Sequence, residues 1–315
     1  MMLRPLHRFL RPALYCLLAA GMVGTSQAHE PRRQPAKPFR HGLEAITRQN
    51  AEASLRFLAS DVMQGRLAGS SEGHITAQYL ISELEQMGYT GRIAEQPFTG
   101  RKGESLRNIL VTIPGRDTTR KVIVGAHFDH EGTKNGAIYH GADDNASGTV
   151  VMLELARAAQ AAAIQPAHTL ILAFWDGEER GLLGSRHYVS TLGRDTASID
   201  YYINFDMVGR NNDESRPRVF RYFYTASEPQ LRTWFDQSVS VGRLENLEAD
   251  FRPCDRTIGG SDNTPFARAG IPIVWYHTDG HPDYNKPTDT ADKINYPKML
   301  DIARSAWYLI WRMAY

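Results

Sequence analysis

Five short apolar runs recur along this chain, at Asn108–Ile113, Lys121–Ala126, Thr169–Trp175, Tyr201–Phe205 and Ile271–Tyr276. Each is too short for a long helix or a membrane span and reads as a buried strand. Between them lie segments of helical periodicity. One opens at Asn145 or Ser147 and repeats Met152, Leu155, Ala156 and Ala159 on one face. Others cover Pro229–Ser240 and a terminal stretch marked by Leu300, Ala303, Trp307 and Ile310. Two further helices are predicted upstream, Leu43–Ser60 and Ile75–Met87, the second ended by Gly88. Alternating strands and helices can bury all these runs together in one way: a three-layer α/β fold, with a mixed, mostly parallel sheet flanked by helices.

The chain is long enough for one large domain of this type, with 315 residues, 42% of them hydrophobic and 23% charged. A formal net charge of +1 gives no electrostatic case for nucleic acid or for a basic membrane surface. The N-terminus has its own logic. Arg4, Arg8 and Arg11 precede an apolar run from Ala13 to about Val23, and Ser26-Gln27-Ala28 supplies small residues before a cut. That is the pattern of an export signal cleaved after Ala28, and the run falls short of the ~20 residues of a spanning helix. The expected organisation is a signal peptide over 1–28, a flexible Pro-rich lead-in over 29–40 and a catalytic domain over 41–315. The destination is periplasmic or extracellular, without stable membrane association. Cys254 is then the one cysteine of the mature chain, so no intramolecular disulfide forms there.

Chemistry-bearing side chains sit directly after the apolar runs, where open α/β sheets place their ligands. The segments are VIVGAHFDH (122–130), HGADDNASG (140–148), ILAFWDGEERG (171–181) and YYINFDMVG (201–209). His127 and Asp129 are two apart, so on extended backbone they share a side; one can hold a metal while the other fixes the ring from behind. Asp143 and Asp144 lie at the mouth of a helix, where one carboxylate can bridge two cations ~3.5–4 Å apart. Glu178 and Glu179 point in different directions, so one can ligate while the other stands over a water. Asp206 closes an apolar strand, where an unpaired carboxylate is costly to bury. Each motif alone also fits a plainer role: a core histidine, helix caps, a solvated acidic turn, a buried ion pair with Arg. Their joint placement on the strand ends of one sheet favours a metal site. His130, His140 and His277 read as loop or supporting residues. Trp175, Tyr222 and Tyr224 fit either the core or a side-chain pocket.

With these blocks in this order, from LASDVMQGRLAGSSEG to TDTADKINY, the chain resembles the co-catalytic zinc aminopeptidases, the bacterial leucyl aminopeptidase and aminopeptidase Y type. Glutamate carboxypeptidase II and glutaminyl cyclase are more distant relatives. The resemblance implies a zinc-exopeptidase-like fold and two zinc ions. His127 and Asp206 would ligate one ion, Asp144 would bridge, Glu179 would ligate the other, and Glu178 would be the general base. Asp129 would support His127, and the Asp144–Asn145 peptide bond would be cis. The chain departs from the pattern at the last histidine expected four residues before Asp289, where Asn285 stands. His281, four residues earlier, is the substitute expected for the ion on the Glu179 side, with the Asn285 amide oxygen as a weaker donor. Asn263 likewise stands where relatives often carry His.

The function implied is removal of N-terminal residues from peptides with a free N-terminus. Three other readings have distinct signatures. A glutaminyl cyclase-like acyltransferase needs one zinc and the last histidine. A binding protein needs neither metal nor turnover. A carboxypeptidase or dipeptidase needs a cation for the substrate carboxylate, for which Arg210, Arg252 and Arg256 are the candidates.

Overall fold

All five predicted runs pair edge to edge in one sheet. The computed structural model describes residues 36–254 and 260–315, so the expected signal peptide lies outside the described residues. The strands are β1 (Ile93–Thr99), β2 (Ser105–Ile113), β3 (Asp117–His127), β6 (His168–Trp175), β7 (Ile199–Phe205), β8 (Val219–Thr225), β9 (Glu248–Cys254) and β10 (Ile273–His277). Two-residue strands β4 (Thr133–Lys134) and β5 (Ala137–Ile138) form a small hairpin of their own. The order across the large sheet is β1-β2-β6-β3-β7-β10-β8-β9. Its centre, β6-β3-β7-β10, is parallel, while β2 and β8 run against their inner neighbours.

Period-two alternation divides the sheet between two cores. Val122, Val124 and Ala126 of β3 face one side, and Ile123 faces the other. The larger core packs under α1 (Lys37–Ala45), α2 (Arg48–Leu58), α3 (Ser71–Leu84), α4 (Gly148–Ala162), α6 (Gln230–Gly242) and α8 (Tyr296–Ala314). The smaller packs under α5 (Leu183–Leu192) and α7 (Asn263–Arg268), with Trp175, Tyr188, Tyr202 and Phe266 in mutual contact. Trp175, Tyr222 and Tyr224 are all buried in these cores. None of the described helices is long and apolar enough to cross a membrane.

Two N-terminal expectations change. The lead-in ends earlier than expected, because Lys37–Arg40 already belong to α1. Phe39 is buried against Trp307, whose indole N–H donates to the Phe39 carbonyl at 3.0 Å. Gly42 permits this approach, since a Cβ there would stand 2.6 Å from the Trp307 ring. The single helix expected over 43–60 is two. The break falls at Thr47, an extended residue whose side chain accepts from the Asn50 N–H and so starts α2.

The topology fixes the position of the crevice. From β3 the chain crosses to β6 on one side, then from β6 to β7 on the other. The segments leaving β3, β6 and β7 therefore open at the same edge, the switch point of a doubly wound sheet.

Candidate metal centre

His127 is the last residue of β3, level with Trp175 at the end of β6. It is 1% exposed. Its Nδ1 lies 3.2 Å from the backbone oxygen of Asp129, which fixes the tautomer with the proton on that nitrogen. The Nε2 lone pair then faces Asp144 Oδ1 at 3.6 Å and Asp206 Oδ1 at 3.7 Å. Asp129 thus supports His127 through its carbonyl more closely than through its carboxylate, whose Oδ1 is 3.7 Å away. The carboxylate instead accepts the backbone N–H groups of Glu178 at 2.9 Å and Glu179 at 3.3 Å. A single residue just beyond β3 therefore anchors the turn that carries both glutamates.

Asp144 is held from behind. Asp289 Oδ2 accepts the N–H groups of Asp143 and Asp144 at 2.9 and 3.2 Å. Asp143 turns inward, where its Oδ1 accepts from the backbone of Gly209 and Arg210. Asn145, joined to Asp144 by a cis peptide bond, ties the segment to β7 through the Phe205 carbonyl. Held this way, Asp144 directs its two oxygens to different partners, Oδ1 to His127 and Oδ2 to His130 Nδ1 at 3.8 Å. His130 Nδ1 also lies 2.9 Å from Glu179 Oε1. Two groups of ligand-type atoms result, His127/Asp144/Asp206 and His130/Asp144/Glu179, with Asp144 common to both.

Crowded carboxylates in a buried cleft demand protons or cations. Burial first, and then Glu179 and Asp206, hold the Asp144 carboxyl well above the usual carboxylate range. Burial does the same to Glu178 and pushes Glu179 up to about 8. Burial opposes protonation of His127, but Glu178, Asp129 and Asp206 outweigh it and raise its pKa. Asp206 responds in the opposite sense: despite burial, His127 keeps it below its ordinary value. The donors suit zinc, which takes imidazole nitrogen and carboxylate oxygen in a tetrahedral set. The buried Nε2 of His127 has no hydrogen-bond partner among the described residues, which leaves it available to a cation.

The groups open into a cleft of about 310 Å³ lined by Glu178, Met207, Trp275, His277, Asp279 and Tyr284 together with the three carboxylates. Trp275 and Tyr284 supply the aromatic wall for which Tyr222 and Tyr224 were candidates. A larger cleft of about 420 Å³ near Tyr89 and Pro166 has no His, Asp or Glu among its described lining residues, so the chemistry favours the smaller one as the site.

Several expected residues fall elsewhere. His281 does not join the Glu179 group: it is buried against Asp143, Nε2 3.4 Å from Oδ2, on the inward side of the acidic pair. Asn285 is exposed, with a left-handed φ of 52°. The imidazole beside Glu179 belongs instead to His130, which its sequence context places among loop or supporting residues; its one signal is the spacing of two histidines within HFDH. His140 and His277, expected as loop or supporting residues, bond the Pro287 and Asp206 carbonyls. Arg210 is spent on Asp283 at 2.9 Å and Arg252 on Asp250 at 2.6 Å, so neither is free for a substrate carboxylate. Arg256 lies outside the described residues.

Known proteins are similar to this chain in sequence and in fold. The model of peptidase family M28 matches residues 108–310. Leupeptin-inactivating enzyme 1 of Streptomyces exfoliatus is 30% identical over 243 residues, 76% of this chain and 50% of that protein. The chain thus spans about half the length of that relative. A probable leucine aminopeptidase of Arthroderma otae is 32% identical over 82% of this chain and 70% of its own length. Among solved structures, the LapA aminopeptidase of Legionella pneumophila superposes with a TM-score of 0.71 at 24% identity, over 87% of this chain and 74% of that one. An Acidobacteriales glutaminyl cyclase gives 0.69 at 20%, over 91% and 99%. These two likenesses speak for the fold. With the family match spanning well over half its length, this chain belongs to peptidase family M28.

Proposed function

We propose that this protein is a zinc-dependent aminopeptidase that removes N-terminal residues from peptides. The observation that carries the reading is the division of the Asp144 oxygens between two imidazole-containing groups, with Glu178 beside them in the same cleft. His127, Asp144 and Asp206 would hold one zinc, and Asp144 with Glu179 would hold part of a second. Zinc in such a centre supplies Lewis acidity, polarising the scissile carbonyl and lowering the pKa of water towards ~7.

Glu178 is the general base: it takes the proton of the attacking water and delivers it to the leaving amine. Burial is the first cause that raises its pKa above the ordinary carboxylate value, the direction suited to a group that both takes and returns a proton. Asp129 positions it through the backbone. The described cleft lining holds five acids, Asp144, Glu178, Glu179, Asp206 and Asp279, and no Lys or Arg. Bound zinc would offset the ligand carboxylates among these, and with no described cation in the lining nothing there receives a terminal carboxylate, which supports an aminopeptidase over a carboxypeptidase. Residues 1–28 are read as an export signal, so the enzyme would work in the periplasm or outside the cell.

The test combines metal analysis with a panel of aminoacyl arylamides and their N-acetylated counterparts. We expect bound zinc, turnover of the free-amine substrates abolished by chelation, and at least ~100-fold less turnover of the acetylated ones, as a lost charged contact implies. A protein without zinc, or one that cleaves both series equally, would overturn the assignment.

A further inference from the structure

The second zinc needs a neutral nitrogen donor, and the position where the resemblance expects it carries Asn285, which is exposed. We propose that His130 supplies that donor through Nδ1, completing a site with Asp144 and Glu179, so that two zinc ions bind without the missing histidine. The inference rests on the zinc aminopeptidase reading for the nature of the ion, but its test separates the two.

Three observations carry it. First, the distances are those of ligands around one ion. Two donors held at ~2.0–2.1 Å from a tetrahedral zinc stand about 3.3 Å apart. His130 Nδ1 is 3.8 Å from Asp144 Oδ2 and 2.9 Å from Glu179 Oε1, the latter a hydrogen bond that an entering zinc would replace. The first group has the same scale, 3.6 and 3.7 Å.

Second, the His130 ring is fixed in place. It is fully buried, and its backbone N–H donates to the Arg66 carbonyl at 3.2 Å. The buried Arg66 guanidinium donates in turn to the carbonyls of Phe128, His140 and Gly141 at 3.0, 2.7 and 2.9 Å. One side chain therefore binds the segment before His130 to the segment before Asp144. Gly141 has a left-handed φ of 57°, and a Cβ there would collide with the His130 ring and with the Asp144 carbonyl. The ring lies against bare backbone, with its Nδ1 side towards the acids.

Third, among the described residues no other histidine joins Asp144 and Glu179. His281 faces Asp143, His140 is held between Pro287 and Asp61, and His277 bonds the Asp206 carbonyl.

Zinc is removed from the full chain by chelation, restored by equilibrium dialysis and counted per chain. Wild type and Asn285→Ala should each take up two ions. His130→Gln, which preserves bulk against Gly141, and His130→Ala should keep one ion and bind the second more than ~100-fold more weakly, beyond the loss seen for supporting residues. Because His130 is buried, a second measurement uses the wild-type chain alone. After cadmium substitution with 15N-labelled histidine, two 113Cd resonances should each couple to one imidazole, through Nε2 of one histidine and Nδ1 of the other. Two ions at native affinity in His130→Gln would overturn the inference, as would loss of an ion in Asn285→Ala or a 113Cd signal without histidine coupling. A wild-type chain active with one zinc would sink this inference and leave the aminopeptidase reading standing. A wild-type chain taking up no zinc would sink both.

Discussion

Glu178 and Glu179 are neighbours in the chain with different surroundings. Glu179 reaches His130, whereas Glu178 faces the cleft without joining either ligand group. Their shared turn is set by the two oxygens of Asp129, so separate roles follow from the direction of adjacent side chains. Glu178→Gln keeps the shape and removes the base. Its kcat should fall by ~10²–10⁴-fold with zinc content unchanged, measured by steady-state assay and metal analysis on one preparation. Turnover near wild type in that variant would exclude the proton-transfer role.

At the scale of elements, the segment between β5 and α4 is the least regular part of the centre and the most constrained. It turns at Gly141, accepts support from Arg66 and Asp289, and enters α4 with Asn145 Oδ1 receiving the Gly148 N–H. Gly141→Ala places a side chain in left-handed backbone and against the His130 ring at once. A destabilisation of at least ~2 kcal/mol is expected, from the left-handed cost plus overpacking. Chemical denaturation would measure it, and a change within ~0.5 kcal/mol would mean that the turn relaxes freely.

Across the whole molecule, the helical layer is joined partly through one buried acid. Glu154 of α4 accepts the Thr47 N–H at the start of α2 at 2.8 Å and lies 3.4 Å from Arg157. Burial raises its pKa from 4.5 to about 7, against the pull of those two partners. The folded state therefore holds a proton that the unfolded chain releases at lower pH. The stability linked to that proton is fully present below pH 4.5 and is lost as pH rises through about 7. A difference of this size corresponds to about 3 kcal/mol. Glu154→Gln should lack this component, so the stability gap between variant and wild type should shift by up to that amount between pH 4.5 and 8. Urea titrations at the two pH values would show it; a constant gap would refute the burial effect.

Much of the architecture is legible in the sequence because periodicity is local. The apolar runs at β2, β3, β6, β7 and β10, and the faces of α4 and α8, follow from side-chain spacing alone. So does the placement of His127 and Asp206 at strand ends and of Glu179 in the turn after β6, whereas Asp144 lies in the turn that enters α4. The aromatic and β-branched VFRYFYT of β8 is readable as a strand, whereas the half-exposed β1 and β9 lack a continuous apolar run, so spacing does not announce them. What tertiary structure alone decided is which histidine meets Glu179. His130 and Glu179 are 49 residues apart, and they meet because β3 and β6 pair in parallel with level ends. His281 is plausible from spacing, but spacing within a loop says nothing of which side of Asp143 and Asp144 a ring will take. Sequence supplied the donors, while strand register and the Arg66 clamp chose among them.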